Sequence, residues 1–382
     1  MVSQRIRLWP LIQIIRRVRE DDLWANIRSL IRGQLSLLKG NAKKDDNPTP
    51  PALFQMAVGY WLSQAIYVAA KLGIADLLAE GPRSSVELAA TVGTDATSLF
   101  RVLRALAGVG VFSHTGADSF GLAPLGEGLL TGVPGSLRAT IITIGEIHYR
   151  ACGDLLHSVR TGSPAFNQTF GMGLFDYLRH NEDAAAAFDE GMSNLADMLS
   201  YAVLCAYDFS GIRHLMDIGG GQGTFLRNIL KINSKMMGTV LDMPSTVDQA
   251  KRRRSSVSCE RLVYVPGDFF TSVPDGADAH LLSGVIHDWD DERAITILTN
   301  CRKAIHRRGR LLLVEMVVPE GSANCFSKLL DLNMLVMTRG RERTQADFEH
   351  LFNAAGYRLT KIVPTLAPQS LIEGVPQQAC EW

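Results

Sequence analysis

A chain of 382 residues is too long for one ordinary core and suits two or three domains of about 150 residues each. Its 46% hydrophobic and 20% charged residues, with 34 Gly and 15 Pro, exclude disordered, collagen-like and coiled-coil classes. A formal net charge of zero excludes a whole-chain nucleic-acid footprint, yet it hides a split: residues 1–44 carry ten Lys and Arg against three acids, a net of +7, which leaves −7 on residues 45–382.

Within the basic segment, Ile12, Ile15, Val18, Leu23, Ile27, Leu30 and Ile31 recur between arginines, a pattern that predicts basic amphipathic helices. Such helices either pack on a neighbouring domain or dimer mate, or make weak contact with an anionic membrane surface. Pro10 and the run Arg16-Arg17-Val18-Arg19 argue against a signal peptide around Leu8–Ile15. No stretch reaches the roughly 18 uncharged apolar residues of a membrane span. Asp45–Pro51 reads as a linker, so residues 1–51 form an N-terminal extension. Six scattered cysteines make no Cys-x-x-Cys pair, which fits a reducing, cytoplasmic setting without a cysteine zinc site.

Residues 52–208 read almost wholly as helix. Phe54–Leu78 is apolar enough to predict a helix buried in a homodimer. Ser85 is the expected N-cap of the next helix, and Thr97–Gly108 forms a third. Val109–Ser113 and Ser119–Leu122 then make a hairpin around Gly116. That order is winged-helix-like, but residues 80–130 carry a net charge of −2, the wrong sign for a DNA groove. A scaffold without a nucleic-acid partner is expected.

From residue 209 to 382 the period changes. Apolar runs at His214–Ile218, Thr239–Leu241, Leu262–Val265, His280–Ile286 and Leu311–Val317 alternate with helical segments, the pattern of a doubly wound α/β sheet. The first run ends in Asp217-Ile218-Gly219-Gly220-Gly221-Gln222-Gly223, a strand-to-helix turn that exposes backbone N–H groups. Its spacing does not fit G-x-G-x-x-G, which disfavours a dinucleotide. Asp242, at the end of the next strand, stands where an acid accepts ribose hydroxyls. Asp268 and Phe269 end the third strand and suit an adenine amino group and its ring.

His287 follows, where a buried strand turns into the crevice of the sheet, a good place for a general base. The neighbouring Asp290, Asp291 and Glu292 read as the N-terminal cap and first turn of a helix, so no metal is expected. Glu315 interrupts an apolar strand, where a carboxylate needs a partner: a buried cation or a catalytic role. Glu342 lies in Gly340-Arg341-Glu342-Arg343-Thr344 and either pairs with its own arginines or serves the site.

Together these segments resemble the S-adenosylmethionine-dependent small-molecule O-methyltransferases, the branch with plant caffeate and bacterial polyketide enzymes. The likeness runs from about Ala52 to Pro376 through Asp-Ile-Gly-Gly-Gly-Gln-Gly, Gly-Asp-Phe-Phe, His-Asp-Trp-Asp-Asp and Gly-Arg-Glu-Arg-Thr. It implies a class I methyltransferase fold, with a Rossmann-like sheet and a mostly helical N-terminal dimerisation domain. It further implies S-adenosylmethionine held by Asp217, Gly219, Gly221, Asp242, Asp268, Phe269 and Ser283. The implied catalytic set is His287 as base with Glu315 and Glu342 beside it. Asp288 would meet a hydroxylated, phenolic acceptor of aromatic or polyketide-like type; Met192, Met334 and Met337 either line its pocket or belong to the core. Ser283 stands where plant members often carry lysine, and Arg339 where glycine often precedes the Gly-Arg-Glu-Arg-Thr run. The alternatives are C-methylation or non-methylating chemistry on the same fold, or a regulatory protein with a vestigial site.

Overall fold

Residues 50–252 and 260–377 are described in a computed structural model. The expected amphipathic helices and membrane contact of residues 1–44 lie outside the described residues. The chain divides into two compact units, one through Ile142 and one from Thr143 onward.

The first unit opens with α1 (Pro50–Ala57), α2 (Tyr60–Lys71) and α3 (Ile74–Leu78). The apolar stretch expected as one helix is therefore broken. Gly73 sits at φ 65°, a left-handed conformation that glycine takes without steric cost. Ala69, Ala70, Ile74 and Leu78 point into a core, whereas Leu53, Phe54, Met56 and Trp61 are more than half exposed on this chain. Next come β1 (Arg83–Ser84), α4 (Ser85–Val92), α5 (Ala96–Gly108), β2 (Phe112–His114) and β3 (Ser119–Leu122). The strands pair antiparallel in the order β1-β3-β2. Leu99, Leu103 and Leu106 place the inner face of α5 in the same core.

The cap of α4 is Ser84, not the expected Ser85. Ser84 Oγ accepts the Glu87 N–H at 3.2 Å, and the Glu87 carboxylate accepts the Ser84 N–H at 2.8 Å. This reciprocal box needs an extended residue at the cap, and Ser85 is already helical and buried.

After α6 (Arg138–Thr143), a π-helical turn (Ile144–His148) runs into α7 (Tyr149–Cys152). Then follow α8 (Leu155–Thr161), α9 (Ala165–Phe170), α10 (Leu174–His180) and the 25-residue α11 (Glu182–Ala206). The change of period at residue 208 marks a change of element type, while the compact units divide after Ile142. Beyond it the alternation is regular: β4 (His214–Ile218), α12 (Thr224–Ile232), β5 (Met237–Asp242), α13 (Pro244–Arg252) and β6 (Leu262–Pro266). The chain then forms β7 (Ala279–Ser283), α14 (Asp291–Ala304), β8 (Arg310–Glu315), α15 (Phe326–Met337), α16 (Gln345–Ala354), β9 (Tyr357–Pro364) and β10 (Ser370–Pro376).

These strands make one seven-stranded sheet in the order β6-β5-β4-β7-β8-β10-β9. Strands β4 to β8 are mutually parallel, and β10 and β9 close one edge antiparallel. Helices cover both faces, so the parallel strands read as continuous apolar runs. Met216, Leu282, Leu311 and Leu313 meet α14 and α16 on one face. Leu215, Leu281, Leu312 and Val314 belong to the opposite core with Val203 of α11 and Leu226 and Ile229 of α12. The strand order reverses between β4 and β7, which opens a crevice at their carboxyl ends. Among the described residues, no helix is long and apolar enough to cross a membrane.

Replacing Ser84 with alanine is expected to lower stability by about 1 kcal/mol, the usual cost of a lost N-cap. The urea midpoint of the full chain reads it; an unchanged midpoint would place the cap elsewhere.

Candidate active site

The crevice is built first by the turn after β4. Gly219, Gly221 and Gly223 all have positive φ, at 72°, 57° and 73°. A Cβ on Gly219 would fall 2.9 Å from Val285 Cγ2 and 3.6 Å from Phe269 Cε1. The absent side chain therefore leaves a cradle walled by the ends of β6 and β7. Asp242 closes its side: Oδ2 accepts the Gly221 N–H at 2.8 Å and Oδ1 the Met243 N–H at 2.7 Å. The Thr246 side chain also hydrogen-bonds this carboxylate, which leaves it acceptor capacity for a further hydroxyl donor.

Asp217 ends β4 almost wholly buried, and its Oδ2 has no hydrogen-bond partner. Burial, with the Asp242 charge adding to it, pushes its pKa up to about 7. Burial also raises Asp242, against the backbone donors that favour its charged form. An unsatisfied buried acid beside a glycine cradle fits a ligand carrying both a cationic group and sugar hydroxyls.

The remaining cofactor candidates are less engaged. Asp268 is exposed and accepts the Phe270 N–H at 2.8 Å through Oδ1. Ser283 closes β7 opposite Val314 of β8.

His287 lies in a single 3-10 turn, Ile286–Asp288, directly after β7. Glu315, at the end of β8, anchors that turn: its Oε1 accepts the N–H groups of Val285 at 3.1 Å and Ile286 at 2.9 Å. Its Oε2 lies 3.6 Å from His287 Nδ1. Glu342 makes the closer contact, 2.7 Å from Oε1 to Nδ1. Both acids lie against the histidine. Arg341 and Arg343 turn instead to Asp291, at 2.8 and 2.9 Å.

With two carboxylates nearest Nδ1, that nitrogen is the natural donor, and Nε2 makes no hydrogen bond to either acid. Asp288 Oδ1 is 4.0 Å from Nε2. Burial alone would lower the His287 pKa, but Glu315, Asp288 and Glu342 outweigh it and raise it to about 10. Burial pushes Glu315 up to about 7, opposed by the imidazolium and reinforced by Glu342. Donor atoms of His287, Glu315 and Glu342 lie within 4.8 Å of one another.

The methionines divide. Met337 packs into a core cluster with Ile147, Phe166 and Val336, and Met334 is also buried. Met192 sits on α11 with 40% of its surface exposed. Near the end of α15, Asn333 Oδ1 is 2.9 Å from His148 Nδ1 in the π-helical turn.

Three contributors escape a reading of the sequence. Asp331 Oδ1 accepts the Glu342 N–H at 2.8 Å, tying α15 to the acid. A Cβ on Gly340 would lie 1.8 Å from the His287 carbonyl oxygen, so only glycine permits the close approach of these two segments. Arg343 donates to the carbonyls of Ile286 and Trp289. The glycine before Arg341 was the available signal; the other contacts span ten to sixty residues.

Comparison with known proteins agrees with this geometry. Residues 152–358 match the O-methyltransferase domain family, and residues 54–132 match the O-methyltransferase dimerisation domain. The chain is 43% identical over 330 residues to a phenazine O-methyltransferase of Lysobacter antibioticus, covering 86% of this chain and 97% of that protein. The crystal structure of LaPhzM superposes with a TM-score of 0.84 at 44% identity, over 86% of this chain and all of that one. A neocarzinostatin-biosynthesis O-methyltransferase, solved with S-adenosyl-L-homocysteine and 1,4-dihydroxy-2-naphthoic acid, superposes at 0.71 with 32% identity. It covers 82% of this chain and 95% of its own. The chain belongs to the O-methyltransferase family.

The burdened Asp217 has a measurable consequence. Its folded-state pKa is raised, so its favourable contribution is full only below the ordinary carboxylate range and is lost as pH rises through about 7. Cofactor-free Asp217→Asn is therefore expected to be more stable than the parent at pH 8, with the gap closing as pH falls to 4. Thermal melts across that range check it. A gap that does not vary with pH contradicts the assignment.

Proposed function

We propose that the chain transfers the methyl group of S-adenosylmethionine to a phenolic hydroxyl of an aromatic secondary metabolite, with His287 as general base. The observation that carries this reading is the oriented imidazole: Nδ1 is held by Glu342 and Glu315, and Nε2 remains for the acceptor.

The cofactor fits the cradle. Asp242 suits the ribose hydroxyls, the orphaned Asp217 oxygen suits a cationic group, and Gly219 with Phe269 leaves room for the nucleoside. Asp268 and Ser283 complete the proposed set. When bound, S-adenosylmethionine supplies a methyl group already activated by its sulfonium, so the protein's work is alignment, exclusion of water and removal of one proton. The first unit serves as the dimerisation domain of a homodimer, in a reducing cytoplasm.

The proton is the point at which the carboxylates matter. A phenol with pKa near 10 loses its proton at great cost to an ordinary imidazole of pKa about 6.5. Glu315, Asp288 and Glu342 bring His287 to about 10, which makes transfer from hydroxyl to Nε2 nearly balanced. The same match means that the reactive pair needs one proton fewer than the state that prevails at neutral pH. Turnover of a weakly acidic phenol should rise with pH from 7 toward 10. An acidic phenol, which arrives ionised and pairs directly with the imidazolium, should show a flatter profile. Asp288, Met334 and Met192 are proposed to meet the acceptor, while Met337, packed in the core, supports them from behind.

Methyl transfer to hydroxylated phenazines and naphthoates, followed by mass spectrometry, tests the reading. His287→Ala should keep affinity for S-adenosylhomocysteine while turnover falls about 10²–10⁴-fold, the usual share of a positioned base. The loss should shrink for more acidic acceptors. Undiminished methylation of a weakly acidic phenol by the folded variant would remove His287 from the mechanism, and transfer only to amines or carbon would overturn the hydroxyl assignment.

A further inference from the structure

We propose that Arg343 is a positioning residue, which fixes the turn bearing His287 by gripping the carbonyls on either side of it. The inference rests on the general-base reading above.

The Arg343 side chain has no exposed surface, and it heads the largest fully buried side chains among the described residues. Burying a guanidinium is costly unless each face of its fork finds an acceptor. Here Nη1 donates to the Ile286 carbonyl at 2.8 Å and Nη2 to the Trp289 carbonyl at 2.7 Å. Nε and Nη2 also donate to Asp291 Oδ1, at 3.1 and 2.9 Å. Ile286 precedes His287 and Trp289 follows Asp288, so the two carbonyls bracket the turn.

An ordinary ion pair at the start of α14 would require only Asp291. Arg341 already reaches that carboxylate from the surface, at 2.8 Å. What Arg343 alone adds is the pair of carbonyl contacts. Its planar fork meets four acceptors at once, the Arg341 carbonyl at 3.4 Å being the fourth, which the single ammonium of lysine does not.

The backbone of Arg343 is itself fixed. Its carbonyl accepts the Val318 N–H at 2.9 Å, and it bridges to Val317, just beyond the strand that ends in Glu315. Glu342, its neighbour in the chain, holds His287 Nδ1, and Gly340 lies against the His287 carbonyl. Residues 340–343 thus set the acid and the backbone of the base as one piece. A shift of the turn would change the Nδ1-to-Glu342 distance and the aim of Nε2 together.

The test uses the full chain and the hydroxyphenazine or hydroxynaphthoate that it turns over fastest. Arg343→Lys should retain S-adenosylhomocysteine affinity by calorimetry and leave KM nearly unchanged. Its kcat should fall about 10²-fold, the cost of a misplacement near 1 Å. Its kcat should also reach half-maximum at lower pH, because an imidazole drawn away from Glu342, Glu315 and Asp288 loses what raises its pKa. In a His287→Ala background the same change should add no further loss. A role in folding alone predicts the opposite: weaker cofactor binding, an unmoved pH profile and equal losses in both backgrounds.

Should Arg343→Lys fail to fold, Asp291→Ala decides, since it removes the charged partner from a partly exposed position. A smaller loss of kcat with the same downward pH shift supports the proposal, and parental kcat and profile overturn it. If His287→Ala keeps full turnover, the base reading itself fails. If His287→Ala is inactive while folded Arg343→Lys turns over normally, only the positioning role is lost.

Discussion

An imidazole with carboxylates against one nitrogen has a single direction left in which to act. That constraint organises the site. Glu342 reaches His287 Nδ1 at 2.7 Å, while Glu315 spends one oxygen on two backbone N–H groups and turns the other toward the ring. The first acid fixes the tautomer, and the second fixes the turn on which the ring is mounted. Neither is in a position to serve as a surface ion pair, because both are almost wholly buried. Glu315 is met by two backbone donors, whereas Glu342 has the imidazole on one oxygen and no hydrogen-bond partner on the other.

The sheet explains why these groups meet. Strand order reverses between β4 and β7, so the chain leaves the sheet in opposite directions from adjacent strand ends. The glycine turn after β4 and the His287 turn after β7 consequently face one crevice, with Val285 and Phe269 against Gly219. The glycine cradle and the His287 turn, proposed for the cofactor and for the base, arise side by side from one topological feature. The Asp217 carboxyl, buried near the end of β4 with one oxygen lacking a hydrogen-bond partner, belongs to the same arrangement.

Much of this was legible because it is written locally. A strand that ends in glycines, an acid at the next strand end and a histidine after a buried run each announce themselves by a change of period within a few residues. The dimerisation segment was harder. Its alanine-rich pattern continues through Val58–Gly59 and Gly73, the two places where the stretch breaks into separate helices, and only the second of them is left-handed. The N-cap of α4 slipped by one residue, since Ser84 and Ser85 offer the same hydroxyl and only the reach of Glu87 separates them. Met337 reads as a pocket residue by type yet packs among core side chains. Arg343 was invisible for a different reason. Its acceptors lie 54 to 57 residues away in the chain, and carbonyl oxygens leave no mark in a sequence.

One proton decides the proposed role of His287: held on Nδ1, it leaves Nε2 for the acceptor. Nitrogen-15 NMR of the histidine rings, in the complex with S-adenosylhomocysteine, measures it directly. The account predicts that His287 stays protonated and hydrogen-bonded at Nδ1 across the titration, while Nε2 loses its proton well above the ordinary histidine value of about 6.5. Glu342→Gln should move that titration down. A ring that carries its proton on Nε2, or titrates near the ordinary value with Glu342 intact, would contradict the account.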